Sequence, residues 1–114
     1  MAIALPFESG ERFIMEKFKE IIEGKNLVLV DYFSTWCGPC KMMHPVLEEL
    51  KRHFGDRLKI LKVDIDNPNN RRFVSTYQVQ AVPTLRLFKE GKLVWRQSGA
   101  LPVNELRNIV EKYL

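Results

Sequence analysis

The sequence predicts an α/β domain built on a mixed β-sheet with helices on both faces, and three observations carry that expectation. Segments of helical period alternate with β-rich segments along most of the chain. The run "NLVLVDYF", residues 26–33, is apolar apart from Asn26 and a single acid, as expected of a strand covered on both sides. Two further β-rich stretches lie back to back around Glu90-Gly91, a hairpin that adds antiparallel pairing to an otherwise parallel arrangement.

Each element has its own justification. Residues 11–23 place Phe13, Ile14, Phe18, Ile21 and Ile22 on one helical face and charged residues elsewhere, with Gly24 as the stop. The strand 26–33 follows. After the two cysteines, Met43, Val46, Leu47, Leu50 and Phe54 keep helical spacing, Gly55 ends the run, and Pro45 inside it predicts a kink. "RLKILKVDI" is the next strand, and "NPNNRRFVSTYQV" opens with turn residues before a short helix. "TLRLFKEGKLVWRQS" is the hairpin. Val103, Leu106, Ile109, Val110 and Tyr113 define a C-terminal amphipathic helix. The order is α-β-α-β-α-β-β-α, with a weakly marked edge strand near Ile3 to Leu5 as a further candidate.

At 114 residues the chain is the size of a single domain, 1–114, with one hydrophobic core. Two cysteines exclude a disulfide-stapled miniprotein, and the longest apolar runs fall far short of a membrane span. The N-terminus lacks the basic, then apolar, pattern of a signal peptide. The expected location is therefore cytoplasmic, or an exported compartment if a leader has been removed. The net charge of +4 comes from Lys and Arg interrupted by acids, as on a solvated surface, with no basic and aromatic stripe for nucleic acid. It leaves a mild bias toward acidic partners. A monomer is the simplest expectation.

Both cysteines sit in "STWCGPCK", between a buried strand and a helix. A thiol at a helix N-terminus faces unpaired N–H groups and the positive end of the dipole, which favour thiolate. Cys37 is then the natural nucleophile, and Cys40, one turn into the helix, is close enough to close a ring with it. Pro39 fits the first helical turn, where its missing N–H costs nothing, and Gly38 leaves the approach to Cys37 uncrowded. A structural metal site would need four ligands, and His44 and His53 are the only histidines available to complete one. An inert pair of core cysteines is the other alternative. Placement of both at a strand-to-helix turn favours redox chemistry over either.

At this point the chain resembles a known family. "VLVDYFSTWCGPCKMMHPVLEEL" is similar to the active-site segment of thioredoxins, and the likeness continues through "LKVDID", "VPTLRLFKEGKLV" and "SGA", over roughly residues 27–114. The resemblance implies the thioredoxin fold, a central mixed sheet of four to five strands flanked by four helices. It implies reduction of protein disulfides, with no bound cofactor or metal and with electrons from NADPH through a thioredoxin reductase.

The resemblance also assigns residues. Asp31, the one charge within "LVLVDYF", matches a buried aspartate beneath the cysteines, where desolvation raises a carboxyl pKa and suits it to deprotonating Cys40. Lys62 matches the lysine that neighbours it. Pro83 matches a cis-proline packed against the disulfide, and the backbone before it, at Val82, pairs with substrate. Trp36, Gly38, Pro39, Gly99 and Ala100 match the substrate groove, with Trp36 as a flat rim beside Cys37. Pro45 matches the family's helix kink, and His44 reads as a surface residue with no role. Phe33 stands where many thioredoxins carry tryptophan, and the connection from Asp66 to Tyr77 is slightly long and contains "NNRR".

The expected reaction runs in two exchanges, attack by Cys37 on a substrate disulfide and then attack by Cys40 on Cys37. Two other readings use the same fold: a disulfide oxidase or isomerase, and a non-catalytic subunit that holds a partner in the groove. The residues between the cysteines, Gly38 and Pro39, resemble the reducing end of the family.

Overall fold

The computed structural model describes the backbone from Ser9 to Leu114 and the side chains from Arg12 onward. Helix α1 spans Ser9–Ile22, strand β1 Leu27–Phe33, helix α2 Gly38–Phe54, β2 Leu58–Asp64, α3 Arg71–Thr76, β3 Thr84–Lys89, β4 Lys92–Ser98 and α4 Val103–Tyr113. The expected order is therefore present. Two one-turn 3-10 helices, Gly55–Arg57 and Pro68–Asn70, add local detail that apolar periodicity does not signal. The candidate strand near Ile3 to Leu5 lies outside the described residues.

The described sheet has four strands in the order β2-β1-β3-β4. β1 runs parallel to β2 and antiparallel to β3, and β3 pairs antiparallel with β4. The parallel β1–β2 pair needs a crossover, which α2 supplies. The β3–β4 pair closes through Glu90 and Gly91, both with positive φ (50° and 84°), between the paired residues Lys89 and Lys92. That is the backbone a two-residue hairpin turn requires, and glycine adopts it without strain.

Six of the seven β1 residues are buried, which explains the apolar run. Successive side chains of a strand point to opposite faces. Leu27 and Leu29 accordingly join Met43, Leu47 and Leu50 of α2 and Leu106 and Val110 of α4 in one core layer. Val28, Val30 and Tyr32 join Phe18 and Ile22 of α1 and Phe73 of α3 in the other. Phe18 makes ring contacts with Phe73, Tyr77 and Phe88 at centroid distances of 4.4, 5.0 and 5.9 Å, so the second layer is largely aromatic. Helix α2 remains continuous through Pro45, which removes one amide from the ladder without ending the helix.

Candidate active site

Strand directions bring the chemistry-bearing residues to one end of the sheet. β1 and β2 finish there, at Phe33 and Asp64, which lie opposite each other. β3 starts there, with Thr84 opposite Tyr32 of β1 and Ser98 of β4. The loop from β1 to Cys37, the Val82-Pro83 pair before β3 and the Gly99-Ala100 pair after β4 therefore emerge side by side.

Cys37 and Cys40 are joined as a disulfide with a Cα–Cα distance of 5.2 Å. Cys37 is the N-cap of α2, with extended backbone at φ −87° and ψ 117°. Its Sγ accepts a hydrogen bond from the Cys40 amide at 3.1 Å, so it satisfies one of the N–H groups that a helix start leaves unpaired. The same geometry stabilises negative charge on that sulfur once the disulfide is reduced. Cys37 is 5% exposed and Cys40 fully buried, so only the first sulfur is within reach of a partner. Gly38 and Pro39 are exposed, and a Cβ built on Gly38 would meet nothing within 4 Å.

Asp31 lies in β1 two residues beyond Leu29, on the face turned toward α2. It has no solvent exposure, and neither carboxylate oxygen has a hydrogen-bond partner. Burial raises its pKa from 3.8 to about 6, and the positive charge of Lys62 pulls in the opposite direction. Lys62 is the parallel-ladder partner of Asp31, but its own side chain is exposed. Ser34, immediately after β1, is also buried with an unpartnered hydroxyl.

Val82-Pro83 is a cis peptide bond, as the resemblance implied. The Pro83 carbonyl accepts from the Gly99 amide at 2.8 Å, and Gly99 has φ 96°, a backbone open chiefly to glycine. The Leu101 amide contacts Met43 Sδ at 3.4 Å, which ties the Gly99-Ala100 segment to α2. Trp36 is 71% exposed and is thus rim rather than core. Its indole Nε1 donates to Asp66 Oδ2 at 3.0 Å, which fixes the ring across the site.

Asp66 is the functional neighbour that sequence reasoning missed. Its signal was available: an acid just past the end of β2, at the same sheet end as the cysteines. His44 corrects the surface reading, because it is half-buried, packs edge-on against Phe33 at 5.5 Å and has a buried Nδ1 without a partner. His44 lies about two turns into α2, next to Pro45, and no motif of the sequence signals its contact with Phe33. Among the described residues, no group of three or more His, Cys, Asp or Glu could hold a metal ion.

A disulfide at a helix start, with one sulfur reachable and the other sealed, is the arrangement of a thiol–disulfide oxidoreductase. Sequence and structure comparisons give that class its family. The family model described as Thioredoxin matches residues 11–112. The chain is 43% identical to thioredoxin of Bacillus subtilis (strain 168) over 90 residues, covering 79% of this chain and 85% of that one. It is 42% identical over 96 residues to thioredoxin of Listeria monocytogenes, covering 84% and 89% of the two chains. A solved mutant thioredoxin from Halobacterium salinarum superposes with a TM-score of 0.76 at 33% identity, covering 86% of this chain and 83% of that one. The chain belongs to the thioredoxin family, and its activity is disulfide reduction by dithiol–disulfide exchange.

Proposed function

We propose that this thioredoxin-family chain reduces protein disulfides in the cytoplasm, with Cys37 as nucleophile, Cys40 as resolving thiol and Asp31 as the group that takes the Cys40 proton. The supporting observation is the asymmetry of the two sulfurs. Cys37 caps α2 and accepts the Cys40 amide at 3.1 Å, whereas Cys40 is fully buried, as is Asp31 on the face of β1 turned toward α2.

In the first exchange the Cys37 thiolate attacks one sulfur of the substrate disulfide. A Cys37–substrate disulfide forms, and the other substrate sulfur leaves as a thiolate that solvent protonates. Asp31 then accepts the proton of Cys40, and the resulting thiolate attacks Cys37 Sγ. The Cys37–Cys40 disulfide forms and the second substrate thiolate leaves. The substrate gains two electrons and two protons, and the protein is left oxidised. A carboxyl with a pKa near 6 is a workable proton acceptor near neutral pH, where an ordinary aspartate would be a weaker base.

Trp36, Gly38 and Pro39 form one side of the substrate surface in this reading, and Val82, Pro83, Gly99 and Ala100 the other. Lys62 moderates the Asp31 charge from the neighbouring strand. Regeneration is by a thioredoxin reductase drawing on NADPH, which places the chain in electron transport and in the maintenance of cellular redox balance. It works as a monomer without a bound cofactor or metal.

The test is the reduction potential of the Cys37–Cys40 pair, equilibrated in defined thiol buffers, alongside NADPH-coupled turnover with a purified reductase. A potential near −270 mV, the reference value for thioredoxin itself rather than one derived from this geometry, supports the reducing role. A value of about −180 mV or higher would replace it with oxidation or isomerisation. Failure of several reductases to reduce the pair at a low potential would leave the chemistry intact and overturn the assigned electron source.

A further inference from the structure

On the face of the sheet opposite α2, strand β3 carries a positive charge where apolar packing is the rule. Residues Thr84, Arg86 and Phe88 of β3 alternate with the buried leucines of the other face. Phe88 joins the aromatic layer, but Arg86, only 7% exposed, occupies the next inward position. Its guanidinium lies over the Tyr32 ring at 5.2 Å from the centroid. That contact stabilises a cation but does not neutralise it, and Arg86 Nε has no hydrogen-bond partner. Tyr32 supplies no anion either, since burial pushes its phenol up to about 12.

The next strand adds charge. Arg96 of β4 is the direct ladder partner of Arg86. Like charges directly opposed across a ladder destabilise it, and a buried guanidinium without a compensating anion is costly. The two arginines line a cavity of about 350 Å³ together with Gln78, Gln80, Gln97 and Ala81. Among the described residues, no carboxylate lines it. Thr84 and Ser98 also border it, but the Thr84 hydroxyl donates to the Ala81 carbonyl at 2.5 Å and stands 3.2 Å from the Ser98 hydroxyl, so they are occupied with each other. What remains to meet a ligand is Arg86 Nε, which has no partner, the Arg96 guanidinium and the glutamine amides that border the cavity.

We propose that this cavity binds a small phosphoryl dianion, inorganic phosphate or a phosphate monoester, between Arg86 and Arg96. A dianion matches the two positive charges, and the planar forks of arginine fit phosphate oxygens in pairs. The volume lies at the lower end of the range of small-ligand pockets, with room for a phosphate and a short organic group. The site is separate from the disulfide, but Gln78, Gln80 and Ala81 belong to the segment that leads into Val82-Pro83. Occupancy therefore holds the far side of the loop that carries the substrate-facing proline.

The experiment is a titration of the oxidised full chain with inorganic phosphate and, separately, with glycerol 3-phosphate, at ionic strength held constant with chloride. Chemical shifts of the arginine side-chain Nε–Hε groups and of the backbone amides are followed. The expected result is a saturable shift of Arg86 Nε–Hε and of the amides of Gln80 and Ala81. Tighter binding of glycerol 3-phosphate assigns the cavity to a monoester, and equal or weaker binding assigns it to free phosphate. Arg96→Gln, an exposed change, should weaken binding about tenfold or more while leaving disulfide reduction unchanged. Arg86→Met should do the same and remain folded, because it removes an unpaired buried charge. Shifts that scatter over surface lysines, fail to saturate, or persist undiminished in Arg96→Gln would overturn the proposal.

Discussion

Asp31 and Lys62 occupy directly opposed positions in the parallel β1–β2 ladder, yet the carboxylate is sealed from solvent and the ammonium is exposed. The lysine attracts the charge of Asp31 without solvating it, so burial outweighs it and the pKa stands at about 6 against 3.8. The folded protein then holds a proton between those pH values that the unfolded chain has already released. Its stability falls as pH rises from about 4 to about 6 and is level above that. Ionised Asp31 costs the fold about 3 kcal/mol by this measure. Asp31→Asn should therefore stabilise the oxidised protein by roughly 2–3 kcal/mol at pH 8, with the gain gone near pH 3. Urea unfolding at the two pH values reads this directly, and equal gains at both would rule out the linkage.

The same substitution should slow resolution of the mixed disulfide more than its formation. Rapid-quench measurement of both steps separates them. The pH dependence of resolution should lose its inflection near 6 in the variant. An unchanged profile would show that another group receives the Cys40 proton.

The two cysteines should fail differently when replaced by serine. Cys40→Ser keeps the helix-capping sulfur of Cys37, the nucleophile of the proposed mechanism, and should accumulate a mixed disulfide with substrate, visible by mass as a covalent adduct. Cys37→Ser leaves only the buried sulfur and should give no adduct and no turnover. Adducts of equal yield from both variants would contradict the burial difference between them.

Trp36 and Asp66 share one hydrogen bond at an exposed position. Asp66→Ala should lower global stability by no more than about 1 kcal/mol. It should release the indole, raise KM for protein disulfides and leave kcat nearly unchanged. Steady-state kinetics beside a tryptophan emission spectrum tests it. A fall in kcat at constant KM would mean that Asp66 acts on the exchange rather than on the rim.

Two glycines at the site should also behave differently. Gly99→Ala meets no neighbouring atom but must hold φ near 96°, so its cost is backbone strain of about 1–3 kcal/mol. Gly38→Ala lies in a helix with open space beyond it and should leave stability within about 1 kcal/mol. Any loss of activity there would come from crowding the approach to Cys37. Denaturant curves for the oxidised variants distinguish the two.

The elements were legible because their patterns are local. Six buried residues in a row marked β1, helical spacing marked α2 and α4, and Glu90-Gly91 marked the hairpin. The reactive pair was legible from its place at a strand-to-helix turn. The proline geometry at Pro83 and the burial of Asp31 were carried by family resemblance, since neither follows from residue type alone. What the sequence hid depends on distant approach. Trp36 meets Asp66 across thirty positions, and Arg86 meets Arg96 because the hairpin register shifts by one residue between Leu87 and Phe88, an irregularity that the turn residues do not signal. Arg86 also breaks the pattern that guides such readings, because a charged residue in a strand is ordinarily assigned to the outside.

The site residues converge at a single pole of the sheet, and the chain has two cysteines in all, only one of them with any exposure. Both cysteines of this chain sit in the Cys37–Cys40 disulfide, so the chain offers no second thiol pair at another face. A donor and an acceptor must each come to the same sulfur, and they exclude one another while they are there. The protein is therefore a shuttle and not a wire: its throughput depends on how quickly it leaves one partner and finds the next. Binding either partner too tightly would slow the relay as surely as binding it too weakly.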